Sequence, residues 1–363
     1  MTTVGLVFGG VAAVTAQLTE HARAAASSAG LLLALAYVLR AIGDVSNPTL
    51  SWLSPIGWAQ ATEVYYADNW APLGLAVAVA AMLLLVAVPL SRRRDVGAGV
   101  LGTRPGPARA GTFLRGPFGL AWRLARGTLI GWTVGLLAFG LMYGPVLSEA
   151  STYLEDLPIM AEFLPDAEAS GAELFAATVV AVFAILCAVP AVQVVVRLRS
   201  EETSGRAGPL LVTPLSRVRW MGASVLLALG AAAVLLVVMG VGLGLGAGLS
   251  MDDLGWVGAC AGAALAYLPA VAVVVGLAAL LVGWAPRATA WSWGLLGFAI
   301  VVMYFGGFLN LPQLVLDISP FTHVPQLPAQ DLDGVPLAWL SLLALVLVVA
   351  GLIGIRRRDV HDT

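Results

Sequence analysis

The sequence predicts an all-α polytopic membrane protein, and three observations carry that expectation. The 363 residues are 60% hydrophobic and only 11% charged, against roughly 25% charged in an average soluble domain. Mean hydropathy is +0.92, so polar surface is too scarce to cover a water-facing globule. Apolar residues also fall in runs long enough to cross a hydrocarbon core, which takes about 20 residues of helix.

Eight runs meet that length, at roughly 27–45, 72–90, 128–147, 174–196, 220–249, 255–283, 290–309 and 335–355. A ninth, Val4–Leu18, is shorter at about 15 residues, which is why the count stands at eight to nine. Before the 128–147 run, Phe113 to Arg126 alternates apolar positions with Arg115, Arg123 and Arg126 around Trp122. That pattern predicts an amphipathic helix lying on the membrane surface before the span begins. In 220–249, Gly240, Gly244 and Gly248, with Gly242 and Gly246, recur at helical spacing for close helix packing. Pro190 and Pro269 are positioned to kink their spans.

The loops set the sidedness, because arginine collects on the cytoplasmic face. With the Ser91–Asp95 loop placed inside, 18 of the 19 arginines fall on that side and only Arg40 lies near the outer end of a span. Six acids are inside and 15 outside, so the formal −2 resolves into +12 facing −14. This threading puts the C-terminus in the cytoplasm.

Two stretches repeat at an offset of 264–265. Ser54-Pro55-Ile56-Gly57-Trp58 parallels Ser319-Pro320-Phe321-Thr322-His323, and Arg92-Arg93-Arg94-Asp95-Val96 parallels Arg356-Arg357-Arg358-Asp359-Val360. Matching sidedness implies a parallel duplication of a six-helix unit. The second copy is complete over 118–363, and 97–117 reads as a cytoplasmic linker. Residues 1–96 read as the C-terminal part of a first copy, with Val4–Leu18 aligned to the latter half of 255–283. The first copy is expected to lack its front, through truncation or a misplaced start.

The chemistry is mostly exclusion. All 19 basic residues are Arg, and without Lys neither a phosphate-binding loop nor a Schiff base is available. Mid-span positions carry no Asp, Glu or His, so a proton-loading carboxylate of the usual kind is missing. Cys187 and Cys260 sit in apolar runs as small hydrophobes, with no metal cluster or disulfide framework. Nothing interleaves basic residues with aromatics for nucleic acid. Transport energy is therefore expected from a partner, with no cofactor bound by this chain.

Two regions remain as site candidates. The inner segment from Arg197 to Arg217 holds Glu201, Glu202, Gly205, Arg206, Leu210, Leu211, Thr213, Pro214, Leu215 and Arg217. Its pattern fits short helices with a docking face, or a solvated interfacial loop. On the outer side, Arg40 and Asp44 are four apart on one helical face, and Trp52, Pro55, Trp58, Pro320 and Phe321 line the two outer loops. These are interface anchors or parts of an outer gate.

Leu39-Arg40-Ala41-Ile42-Gly43-Asp44, followed by Leu50-Ser51-Trp52-Leu53-Ser54-Pro55-Ile56-Gly57-Trp58-Ala59-Gln60, resembles the permeases of actinobacterial polyketide-antibiotic exporters. These are type-2 ABC transporters of the tetronasin-resistance kind. Leu114 to Arg123 and the Glu201 to Arg217 loop are similar to that family as well. The resemblance implies a permease paired with a separate ATP-binding-cassette subunit, in two copies, that holds ATP and Mg. It implies a coupling helix at Glu201–Arg217, a connecting helix at 113–126, and hydrophobic small-molecule cargo moved through a lipid bilayer. An ion-coupled transporter and a non-transporting membrane scaffold are the alternative functions.

Overall fold

The computed structural model describes residues 2–45, 48–63, 66, 68–92, 99, 109, 111–149, 170–306, 309 and 311–358. Arg93, Arg94 and the acidic stretch 150–169 lie outside these, as do the side chains of Asp44, Leu210 and Leu211. The chain divides into two compact units, Met1–Ala108 and Arg109–Thr363.

The first unit holds α1 (Thr2–Leu18), α2 (Ala22–Val45), the short α3 (Pro48–Ser51) and α4 (Pro55–Gln60), and α5 (Ala71–Arg92). Helix α5 packs mainly on α1. Gly10 lets them meet, since a Cβ there would stand 2.9 Å from the Leu83 Cβ.

The second unit opens with a 3₁₀ turn at Thr112–Arg115 and continues as α6 (Pro117–Tyr143). Then follow α7 (Gly171–Thr203), α8 (Ala207–Leu211), α9 (Arg217–Met251), α10 (Gly255–Ala266) and α11 (Leu268–Trp284). The unit closes with α12 (Trp291–Phe305), α13 (Gln313–Leu316), a 3₁₀ turn at Pro320–His323 and α14 (Gly334–Arg357). Its core is built on α7, α9 and α11, with Val180, Ala184, Ala188, Leu236, Met239 and Val274 fully buried. The outer flanks, such as Leu342, Leu345 and Val346 of α14, are exposed apolar surface, the pattern of helices that face lipid.

Among the described residues, seven helices are long and apolar enough to cross a membrane, and the apolar stretches Thr2–Leu18 and Ala24–Arg40 are shorter. The all-α polytopic class is thus the observed one. One span carries the disturbance expected of it, and one element differs from expectation. The 255–283 run is one apolar span, Gly255–Trp284, in which a single turn residue at Tyr267 separates α10 from α11. Pro269 stands in the first turn of α11, where its missing N–H costs nothing and its ring bars continuation from the preceding turn. Residues 113–126 form no separate surface helix: Gly116-Pro117 starts α6, which runs unbroken to Tyr143. Trp122, Arg123 and Arg126 are exposed residues of its first turns, and Arg115 ends the 3₁₀ turn. Proline at the helix start fixes φ for the first turn, and nothing between Pro117 and Leu129 breaks the ladder. Pro190 lies inside α7 without interrupting it.

The glycines of α9 serve two faces. A Cβ at Gly242 or Gly246 would meet the α6 carbonyls of Leu137 or Leu141 at 2.8 and 2.6 Å. At Gly240 or Gly244 it would meet the α10 carbonyls of Cys260 or Trp256 at 2.5 Å. Helices approach this closely only without side chains at the contact.

The repeated sequence has repeated local structure. Ser54 and Ser319 are both extended N-cap residues before Pro-initiated turns, at Pro55–Gln60 and Pro320–His323. The Trp58 indole donates to the Trp52 carbonyl at 2.6 Å. At the matching positions, the His323 Nε2 lies 2.9 Å from the Asp317 carbonyl. Gly276 meets Leu347 and Ala344 as Gly10 meets Leu83 and Ala80.

Candidate functional site

The inner candidate is organised by the end of α7. Glu201 and Glu202 are the last charged residues of that helix rather than members of a loop. Arg197 sits one turn before Glu201 and Arg199 three residues before Glu202, spacings that place each pair on one helical face. The Glu201 carboxylate accepts from the Arg206 Nε at 2.7 Å and the Arg197 Nε at 3.3 Å. Glu202 is 1% exposed and accepts from the Arg358 Nη2 at 2.6 Å and the Arg199 Nη1 at 3.4 Å. The Glu201 carboxylate in turn raises the Arg206 guanidinium above its ordinary value.

These contacts tie helices that are distant in sequence. Arg197 also donates to the Leu124 carbonyl of α6 at 2.6 Å. Arg217, in the first turn of α9, donates through Nη1 to the Arg358 carbonyl. The end of α7 is thereby fastened to α6, α9 and the end of α14. Buried carboxylates without such partners would carry a desolvation cost of several kcal/mol. Sequence alone offered Glu201 and Glu202 as docking groups; their acceptor oxygens are turned inward and spent on this chain's own arginines.

The surface that does face outward is the segment after them. Ser204 ends α7 and Gly205 takes φ +70, a left-handed turn position that a side chain disfavours. Arg206 is exposed, then five-residue α8 leads to exposed Val212, Thr213 and Pro214 before half-buried Leu215. Val212 is 88% exposed and was not singled out from sequence. Its signal was an apolar residue between charged and Pro-bearing positions. Ser216 then caps α9, accepting from the Arg219 N–H. Arg358, the other group missed, had only the repeated Arg-Arg-Arg-Asp motif to mark it.

The outer candidates separate by unit. In the first, Arg40 Nε donates to the Gln60 Oε1 at 2.8 Å, while the Asp44 carboxylate lies outside the described residues. Pro55 starts α4, Trp58 is buried and Trp52 is exposed. In the second, Pro320 and Phe321 are buried, and the Phe321 ring stacks on Tyr267 with centroids 6.4 Å apart and planes at 25°. That pair forms part of a cavity of about 660 Å³ bordered by α7, α12, Tyr267 at the turn between α10 and α11, and the segment leading into α14.

Long apolar helices, glycine-mediated packing and an arginine-fastened end of α7 define a multi-pass helical membrane protein with a charged, exposed segment between two of its longest helices. A family model described as "Multidrug efflux system permease Rv1217c, C-terminal domain" matches residues 114–356. The chain belongs to that family. It is 39% identical over 360 residues to the "Multidrug efflux system permease protein Rv1217c" of Mycobacterium tuberculosis (strain ATCC 25618 / H37Rv). That alignment covers 98% of this chain and 66% of the relative, so the chain spans just under two thirds of its relative's length.

Proposed function

We propose that this chain is a permease subunit of an ATP-driven exporter of hydrophobic or amphiphilic compounds, polyketide antibiotics and other drugs among them. It would sit in a bacterial plasma membrane with its C-terminus in the cytoplasm. The observation that carries the reading is the family membership, joined to an exposed segment fitted for a protein partner. A separate ATP-binding-cassette subunit, in two copies, would supply ATP, Mg and hydrolysis.

In this reading Gly205, Arg206, α8 and Val212–Pro214 are the contact with the ATPase. Movement pressed on them passes into α7 and α9, which they join directly. Glu201 and Glu202 act as positioning residues: they stiffen the helix end so that a push becomes a tilt rather than local unfolding. A short rigid connection is what mechanical coupling between a soluble motor and a membrane helix requires.

Affinity purification in mild detergent tests this. Recovery of an ATP-binding-cassette protein with the wild type, and its loss with Val212→Asp, is the expected result. Drug efflux that stops with an uncoupler while cellular ATP stays high would instead favour ion coupling. A deletion strain with unchanged drug susceptibility and no ATPase partner would favour a scaffold.

A further inference from the structure

The second unit's cavity lies at the end opposite Arg197, Arg217 and Arg358, where the described ionisable groups are mainly acidic. Its volume, about 660 Å³, is in the range of roughly 300–1,000 Å³ that takes a drug-sized molecule. The floor is apolar and aromatic, with Met303 beside the stacked Tyr267 and Phe321. The rim carries Gln330, Asp331 and Asp333, and no arginine contributes to the lining. One oxygen of Asp333 accepts the Val335 N–H at 2.9 Å to cap α14, so Asp333 adds its charge to the cavity from a fixed position. His323, also in the lining, has its Nε2 turned to the Asp317 carbonyl.

One wall group is singular. Ser319 is 1% exposed and lines the cavity, yet its Oγ has no hydrogen-bond partner. The repeat supplies the comparison: the corresponding Ser54, equally buried, accepts the Ile56 N–H at 3.2 Å. A buried hydroxyl left unmatched costs about 1–3 kcal/mol; the capping bond that Ser54 makes at the start of helical Pro55–Gln60 is absent where Ser319 precedes the 3₁₀ turn at Pro320–His323.

We propose that this cavity binds the cationic portion of an amphiphilic molecule. The Asp331 carboxylate faces the positive charge, the Ser319 hydroxyl accepts from an N–H of the cation, and the Tyr267–Phe321 pair takes the aromatic or aliphatic body. Carboxylate over aromatic faces is the chemistry that recognises organic cations. The site selects cations over anions of equal size and hydrophobicity. It deepens the export reading by naming a class of cargo, and rests on that reading for its physiological meaning.

The test uses the full chain in lipid nanodiscs, with fluorescence anisotropy of the lipophilic cation rhodamine 6G and of anionic fluorescein. Rhodamine 6G is expected to bind and fluorescein not. Asp331→Asn should weaken rhodamine binding about tenfold, the loss of one charge-assisted contact, and Ser319→Ala several-fold. Asp331→Glu keeps the charge and should restore most of the affinity, while Asp252→Asn, outside the cavity at the same end, should change nothing. Equal binding of both dyes, or Asp331→Asn with unaltered affinity in a monodisperse preparation, overturns the proposal. Efflux in cells without Asp331-dependent binding rejects the site and leaves the export reading standing. Asp331-dependent binding without efflux or an ATPase partner rejects the export reading and leaves the site.

Discussion

The Arg358 guanidinium donates to the Glu202 carboxylate at 2.6 Å across 156 residues of chain. One end of the contact closes α7 and the other follows α14, so a single ion pair joins two helices that share no turn. Removing Glu202 with alanine strands two arginines against a closed helix end. Breaking a buried pair from one side costs about 3 kcal/mol. A lowered thermal midpoint in detergent is expected for Glu202→Ala and for Arg358→Ala, and the double variant should lose less than the two losses combined. Arg206→Ala, which removes an exposed partner, should move the midpoint little.

The exposed segment gives the opposite pattern. Val212→Asp and Arg206→Ala are expected to leave the midpoint close to wild type while reducing ATPase recovery and drug efflux, measured on the same preparations. A large stability loss from Val212→Asp would show that the side chain packs within the protein.

Glycine packing on α9 is tested by adding volume. A Cβ at Gly244 would stand 2.5 Å from the Trp256 carbonyl oxygen, so Gly244→Val must push α10 away. Overpacking of this kind costs about 1–3 kcal/mol. Gly230→Ala, on the same helix with nothing within 4 Å of the added atom, should be neutral or slightly stabilising. Thermal shift of the two variants side by side distinguishes packing from a general intolerance of α9 to side chains.

At the Ser54–Pro55 corner of the first unit, Trp58→Phe keeps an aromatic ring but deletes the indole N–H that holds the Trp52 carbonyl. The loss of one such bond is worth about 1 kcal/mol. Faster amide exchange confined to residues 51–60, with the rest of the chain unchanged, is the expected readout.

Much of the architecture was legible because a bilayer leaves few solutions: long apolar runs must be helices. The break at Tyr267 was half visible, since Pro269 announces a disturbance but periodicity cannot say whether a helix bends or stops. The surface helix at 113–126 was misplaced because amphipathic spacing looks the same in a separate helix and in the first turns of a span. Glu201 and Glu202 were found as residues, but not their direction. Which face of α7 meets Arg358 depends on how α14 returns to it, a tertiary fact with no local signature. The Ser319 hydroxyl was hidden in a motif whose first copy satisfies it.

The two Ser-Pro corners, with their shared clamp from Trp58 to Trp52 and from His323 to Asp317, make residues 51–60 and 316–325 matching segments of equal length. They part after the proline, where the first continues as helical Pro55–Gln60 and the second as a 3₁₀ turn running into extended Val324, yet transplanting one for the other exchanges side chains without altering chain length. Such a swap would install a capped serine and an indole beside the cavity. It would move all the chemical differences between the corners at once, and so separate what their shared shape does from what their differing surfaces do.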